Sequence, residues 1–215
     1  MMRFHGYFRS SSSYRCRIAF NLKGIEYDFV SVHLVKGGGQ QKTAEYRALN
    51  PQALVPALEV DGQVLTQSPA ILEWLDETYP EPRLLPPDPM ERAAVRAFCN
   101  VIACEIHPLQ NLRTLQYLEA NYGQGLEGKE AWCQRWIGDG LAACEALLAK
   151  RPATRFAFGD TPGMAEIYLV PQMFSAQRFK VDTSAMPRLN AIVEACANSN
   201  RASASSGVFK TFIRF

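Results

Sequence analysis

The sequence predicts two parts, an α/β unit over residues 1–82 and an all-α unit over residues 90–197. Three observations carry this. Before residue 80 the apolar residues switch repeatedly between the two-residue period of strands and the three- and four-residue spacing of helices. Pro80, Pro82, Pro86, Pro87 and Pro89 then crowd one short stretch, so that residues 83–89 read as a linker. Beyond it the apolar spacing is helical almost throughout.

The elements follow in order. Residues 3–8 are a short strand. Residues 14–23 are a helix, with Ile18 and Leu22 one turn apart and Gly24 as its stop. Residues 27–33 alternate like a strand, Gly37–Gly39 break the chain, and residues 43–49 form a short helix closed by Asn50-Pro51. Residues 55–60 and 64–66 flank Asp61-Gly62, a hairpin signal. Residues 68–79 are a helix in which Ser68 suits the cap, Pro69 the first turn, and Ile71, Leu72 and Leu75 share a face. In the second part residues 90–122 read as one long helix kinked at Pro108, followed by helices over 128–150, 164–179 and 187–196. Residues 198–215 begin as a Ser/Ala-rich run and end in VFKTFIRF; they read as an unassigned, mobile tail.

Composition narrows the function. The 215 residues are 47% hydrophobic and 20% charged, enough for a sizeable core. A net charge of +2 without a Lys/Arg block gives no reason to expect nucleic acid. The six cysteines form no C-x-x-C pair, which fits reduced thiols in the cytoplasm. His5, His33 and His107 make no metal-spaced cluster, so no metal is expected. No apolar stretch is long enough for a signal peptide or a membrane span.

Four stretches can carry chemistry. Ser10–Ser13 lie where a strand hands over to a helix. The first turn of a helix leaves amide N–H groups unpaired and carries a partial positive charge, so serines there either cap the helix or help hold an anion, a thiolate included. Ser10 and Ser13 have the spacing of a C-x-x-C pair with both sulfurs replaced, so a sulfur held there would come from outside the chain. Val55-Pro56 opens a strand: an ordinary edge proline, or, if cis, a place where residue 55 offers its backbone to a ligand. Gln67-Ser68 before a helix are an ordinary cap or a carboxylate site. His107, Asn111 and Arg113 gather around Pro108, with His107 and Asn111 on one face at i, i+4; this is a solvated polar face or a seat for an acidic ligand.

Ser10–Ala19, SSSSYRCRIA, resembles the signature of the zeta-class glutathione transferases, S-x-S-S-Y-R-V-R-I-A in bacterial members. Later landmarks agree in order: Ala48-Leu49-Asn50-Pro51, Val55-Pro56-Ala57-Leu58, Gln67-Ser68-Pro69-Ala70-Ile71, Ile106-His107-Pro108-Leu109-Gln110-Asn111 and Tyr168-Leu169-Val170-Pro171-Gln172. Several unlinked motifs at consistent spacing over residues 3–195 are far more specific than any one of them. The resemblance implies a thioredoxin-like N-terminal domain, an all-helical C-terminal domain, a homodimer and glutathione as cofactor. It implies that Ser10, Ser11, Ser12, Ser13, Tyr14 and Arg15 surround the glutathione sulfur, that Val55 pairs with the cysteinyl backbone, and that Gln67 and Ser68 hold the γ-glutamyl carboxylate. Gln41, His107, Asn111, Leu112 and Arg113 would complete the cofactor contacts. The family's usual reaction is isomerisation of maleylacetoacetate to fumarylacetoacetate, and close relatives isomerise maleylpyruvate; a general transferase acting on small electrophiles is the alternative. Ser10, Ser11 and Ser12 would be catalytic, with Ser10 the first choice for the sulfur, and Arg9 and Arg178 would receive the acidic substrate. The signature cysteine of many members is Ser12 here, and Cys16 takes a position that is usually apolar, so Cys16 reads as a packing residue. The usual Asp before the Tyr-Leu-Val motif is Glu166, and the cap before it is Gly163.

Overall fold

The structure is a computed structural model and describes residues 2–206. The chain forms two compact units, one running to Arg83 and the other spanning Leu84–Ser199.

The first unit is a four-stranded mixed sheet with helices. Strand β1 (Arg3–Gly6) leads into helix α1 (Ser11–Lys23), then β2 (Asp28–Ser31), α2 (Ala44–Leu49), the hairpin β3 (Ala57–Val60) and β4 (Gln63–Thr66), and α3 (Ser68–Thr78). The sheet order is β2-β1-β3-β4. Strand β2 is parallel to β1, while β3 is antiparallel to both β1 and β4. Helix α1 is thus the crossover of a parallel pair, and the Asp61-Gly62 turn makes the hairpin, both left-handed at φ 50° and 77°. The core gathers Phe4 of β1, Ile18 and Phe20 of α1, Leu58 of β3, and Ile71, Leu72 and Leu75 of α3, all fully buried. Each such side chain contributes roughly 1.5–3 kcal/mol. Phe4, Phe20 and Tyr27 form an aromatic cluster with centroids 4.4–5.5 Å apart.

The second unit is helical: α4 (Pro89–Asn100), a wide π-type turn (Val101–Ile106), α5 (His107–Gln110), α6 (Leu112–Tyr122), α7 (Leu126–Ala149), α8 (Met164–Arg178) and α9 (Pro187–Ser206), the last belonging to this unit as far as Ser199. Helix α8 is buried along nearly its whole length. Its start is held by Glu166, whose carboxylate accepts the backbone N–H of Gly163 at 2.7 Å and of Ala157 at 2.8 Å. The proline-rich stretch is tied to this unit, where Leu84 and Leu85 are buried and the Leu84 carbonyl accepts from the Met164 amide.

Several sequence expectations change. Helix α1 begins at Ser11, not residue 14, because Ser10 caps it. Ser68 is not the cap of α3; Gln67 is, and Ser68 is the first helical residue. The long helix over 90–122 is broken into four segments. The break lies at Asn111, which is extended (φ −66°, ψ 146°) because its side chain caps α6, while Pro108 sits in the first turn of α5, where its missing N–H is tolerated. His107 and Asn111 therefore do not share a helical face. Helix α9 continues past Cys196 through the Ser/Ala-rich run to Ser206, since alanine is a strong helix former and no Gly or Pro intervenes before Gly207. The end of the expected tail, residues 207–215, lies outside the described residues.

Candidate active site

The serine run sits at the handover from β1 to α1. Ser10 is extended (φ −83°, ψ 121°) and its hydroxyl accepts the Ser13 amide at 3.2 Å, the geometry of a helix N-cap. Ser13 is fully buried, and its hydroxyl accepts the Tyr7 amide at 3.3 Å, which folds the turn back onto β1. Ser12 donates to the Val55 carbonyl at 3.1 Å. The only hydroxyl proton of Ser12 is thereby used, so its 2.9 Å contact with the Ser10 hydroxyl has Ser10 as donor. Of the Ser10–Ser12 pair, the proton that another acceptor can take over belongs to Ser10.

Val55 is carried by the loop between α2 and β3, and its peptide bond to Pro56 is cis. Two side chains grip the carbonyl just before it. Asn50 donates to the Leu54 carbonyl at 2.7 Å and Tyr46 donates to the same oxygen at 2.8 Å. Asn50 is 1% exposed and also accepts the Gln52 amide at 3.1 Å. In sequence Asn50-Pro51 reads as the end of a helix and as part of a family landmark; its service to Val55 is tertiary and left no local signal.

A second helix start lies in the same unit. Gln67, before α3, holds φ 69°, ψ 118°, a conformation that costs a non-glycine residue about 1–3 kcal/mol and that marks functional sites. Its amide donates to Gln52 at 2.6 Å. Ser68 is buried, and its hydroxyl accepts from the buried Arg15 guanidinium at 3.4 Å, which joins α1 to α3. Neither α1 nor α3 carries an acidic residue in its first turn, although helix starts favour them. Neither helix start is thus neutralised by an acidic side chain of its own first turn, which suits an anion, and the Arg15 guanidinium reaches the start of α3.

Gln41 is the third feature. It is 7% exposed, its amide nitrogen donates to the Leu34 carbonyl at 3.3 Å, and its carbonyl oxygen is buried with no hydrogen-bond partner. Buried acceptors are ordinarily paired, so this one is placed for a donor from outside the chain.

The remaining expected residues occupy other positions. Tyr14 is buried in α1 under the Arg17 guanidinium, 5.0 Å from its ring centre. Ser11 opens α1 and is half-buried. Arg9 is exposed in the turn before the serines. His107, Asn111, Leu112 and Arg113 belong to the helical unit, at the α5–α6 corner, where Asn111 accepts the Arg113 amide at 3.3 Å. Arg178 is exposed at the end of α8, 5.3 Å from the Phe179 ring centre. Cys16 is fully buried, and burial pushes its thiol far above the ordinary range, so it packs and does not react. Among the described residues no group of three or more His, Cys, Asp or Glu is placed to hold a metal ion, and no helix is long and apolar enough to cross a membrane.

Hydroxyls and amides at one helix start, a gripped backbone beside a cis proline, a second helix start, and a buried unpaired acceptor suit an extended anionic ligand with peptide groups of its own. The comparisons with known proteins agree. Residues 9–78 match the family model for the glutathione S-transferase N-terminal domain. Maleylpyruvate isomerase of a Ralstonia species is 48% identical over 91% of this chain and 92% of its own. Maleylacetoacetate isomerase of Pseudomonas aeruginosa is 45% identical over 91% of each chain. Among solved structures, a holo maleylpyruvate isomerase described as a bacterial zeta-class glutathione S-transferase superposes with a TM-score of 0.88 at 48% identity, covering 91% of this chain and 92% of that one. A maleylacetoacetate isomerase from Anaeromyxobacter dehalogenans with glutathione bound in its active site reaches 0.80 at 41% identity, covering 92% of this chain and 90% of that one. This chain belongs to the zeta-class glutathione transferases, the family of the maleylacetoacetate and maleylpyruvate isomerases.

Proposed function

We propose that this protein is a glutathione-dependent cis–trans isomerase that converts maleylacetoacetate to fumarylacetoacetate. The observation that carries the reading is the chain of hydroxyls from Ser10 through Ser12 to the Val55 carbonyl at the start of α1. The protein's own residues fit glutathione. The Gln41 oxygen and the Val55 backbone suit its peptide groups, and Gln67, Ser68 and the start of α3 suit its γ-glutamyl carboxylate. Ser13, Tyr14 and Arg15 shape the wall around the sulfur, and His107, Asn111, Leu112 and Arg113 are the further contacts that the family pattern assigns.

When bound, glutathione supplies a thiolate that adds reversibly to the cis double bond beside a carbonyl, so that the bond turns single, rotates and is restored trans on elimination. The chain's part is to favour the charged sulfur and to hold the substrate. Ser10 keeps the cap by accepting from the Ser13 amide while its own proton turns from Ser12 to the sulfur. Ser11 and Ser12 stand beside it. Bringing a free thiol from about 8.5 toward neutrality needs only a few such contacts. The positive end of α1 would favour negative charge developing on the substrate's carbonyl oxygen. Arg9 and Arg178 receive the substrate's carboxylates, for which a planar guanidinium is shaped. A cytoplasmic homodimer completes the reading.

A second substrate, maleylpyruvate, is favoured by the 48% identity to the Ralstonia isomerase. Both compounds, offered with and without glutathione and followed in the ultraviolet, test the proposal. Glutathione-dependent loss of a cis isomer without consumption of glutathione supports it, and the faster substrate names the preference. Conjugate formation with no isomerisation of either compound replaces it with a general transferase.

A further inference from the structure

The α5–α6 corner is built unlike the rest of the helical unit. It follows a wide π-type turn whose Ile106 lies so close to α7 that a Cβ on Gly140 would overlap the Ile106 side chain. The helix ends after Gln110, and Asn111 turns the chain into α6. Such a break releases carbonyls that need new donors. Thr114 donates to the Pro108 carbonyl at 2.8 Å, and the Trp132 indole of α7 donates to the Leu109 carbonyl at 2.9 Å.

The third tie is of a different kind. The amides of Gln110 on α5 and Gln172 on α8 face each other and exchange two N–H···O bonds, both 3.1 Å. Gln172 is 0% exposed and Gln110 8%. A buried amide that loses its partner costs about 1–3 kcal/mol, whereas a well-packed apolar pair of the same volume is close to neutral. Stability alone therefore gives no reason for amides here. Direction does: sliding or rotating α5 against α8 breaks both bonds together, while a contact between two leucines tolerates the shift.

We propose that Gln110 and Gln172 are positioning residues for glutathione recognition: their reciprocal amide pair fixes α5 in a single register and so presents His107, Asn111 and Arg113. This rests on the reading that those residues contact glutathione. Neither glutamine is assigned to the ligand. Gln172 acts only through Gln110, and the Trp132 indole holds the same corner from α7.

The test compares Gln110→Leu, Gln172→Leu and the double variant, each by thermal denaturation, by calorimetric titration with glutathione and by amide hydrogen exchange of the peptide covering residues 107–115. Each single variant is expected to lose stability. The double variant regains most of the melting temperature yet binds glutathione about tenfold more weakly, the equivalent of about one lost directional contact. Its corner peptide exchanges faster than in the wild type. A double variant that regains both stability and affinity, with unchanged exchange, overturns the proposal and leaves the pair a packing feature. Should the double variant not fold, Trp132→Phe keeps the ring and loses only the bond to Leu109; weakened glutathione binding at a retained melting temperature supports the positioned corner, and unchanged binding overturns it. A wild-type protein that does not bind glutathione refutes the functional reading instead; faster exchange in the double variant then still assigns the register to the pair, and unchanged exchange removes that too.

Discussion

The grip on the Leu54 carbonyl is the part of the site that mutation can weigh most directly. Tyr46 and Asn50 both donate to that one oxygen, at 2.8 and 2.7 Å. Removing either donor leaves the other in place, so each loss is that of an ordinary bond, about 0.5–1.5 kcal/mol. Tyr46→Phe loses one bond. Asn50→Ala loses two, because Asn50 also accepts the Gln52 amide, and is expected to cost about 1–3 kcal/mol. The double variant leaves the carbonyl without either donor and adds a desolvation penalty of about 1–3 kcal/mol that neither single change incurs. Its cost therefore exceeds the sum of the singles by about 1 kcal/mol or more, which is the coupling a double-mutant cycle reads. For a chain of this size each kcal/mol moves the melting temperature by about 2–4 °C. The next residue is Val55, so glutathione affinity falls in the same order, about tenfold in the double variant. Thermal denaturation and calorimetric titration measure both quantities. Strict additivity, or wild-type glutathione affinity in the double variant, refutes the reasoning.

Ser10→Ala removes the hydroxyl proton offered to the sulfur; a hydrogen bond to a charged group is worth about 1.5–3 kcal/mol, so the thiol of bound glutathione is expected to titrate about one to two units higher, read from thiolate absorbance against pH. Ser12→Ala leaves the Ser10 proton without its resting acceptor and is expected to change that titration less. Gly39 has φ +106°, and a Cβ there would stand 2.7 and 2.8 Å from the Gln41 amide atoms, so Gly39→Ala is expected to displace Gln41 and weaken glutathione binding; Gly38→Ala, at φ +84°, carries comparable backbone strain but its Cβ meets open space, so calorimetric titration is expected to show the smaller loss of affinity there. Burial pushes the thiol of Cys133 up to about 11 and that of Cys144 up to about 12, from an ordinary 9.0. With the folded values raised, the folded chain holds protons that the unfolded chain releases. This stabilisation is intact below pH 9.0 and is lost as pH rises through about 11 and 12, so the melting temperature falls on the alkaline side and Cys144→Ala flattens the fall. In the native protein a thiol reagent is expected to titrate the exposed Cys104 quickly and the buried Cys16, Cys99, Cys133, Cys144 and Cys196 only on unfolding.

The two-part architecture and the place of most elements are legible in the residues taken in order, because apolar period and turn chemistry are local properties. The Asp61-Gly62 hairpin, the glycine stop of α1 and the helical spacing after the prolines are all written within a few residues of where they act. The serine run was legible as a helix start that could hold a sulfur, and the order of five motifs was enough to read the family. Tertiary structure decided what those residues are used for. It made Ser10 the cap and the donor, sent the Ser12 proton to the Val55 carbonyl forty-three residues away, and set Asn50 and Tyr46 to hold the loop between them. It broke the helix at Asn111 rather than merely kinking it at Pro108, because a capping side chain and ties from Thr114, Trp132 and Gln172 outweigh helical spacing there. Hydrogen bonds between residues far apart in the chain leave no period in the sequence, so the scaffold could be read from the residues in order, while the arrangement of the site depended on contacts made only when the chain closes on itself.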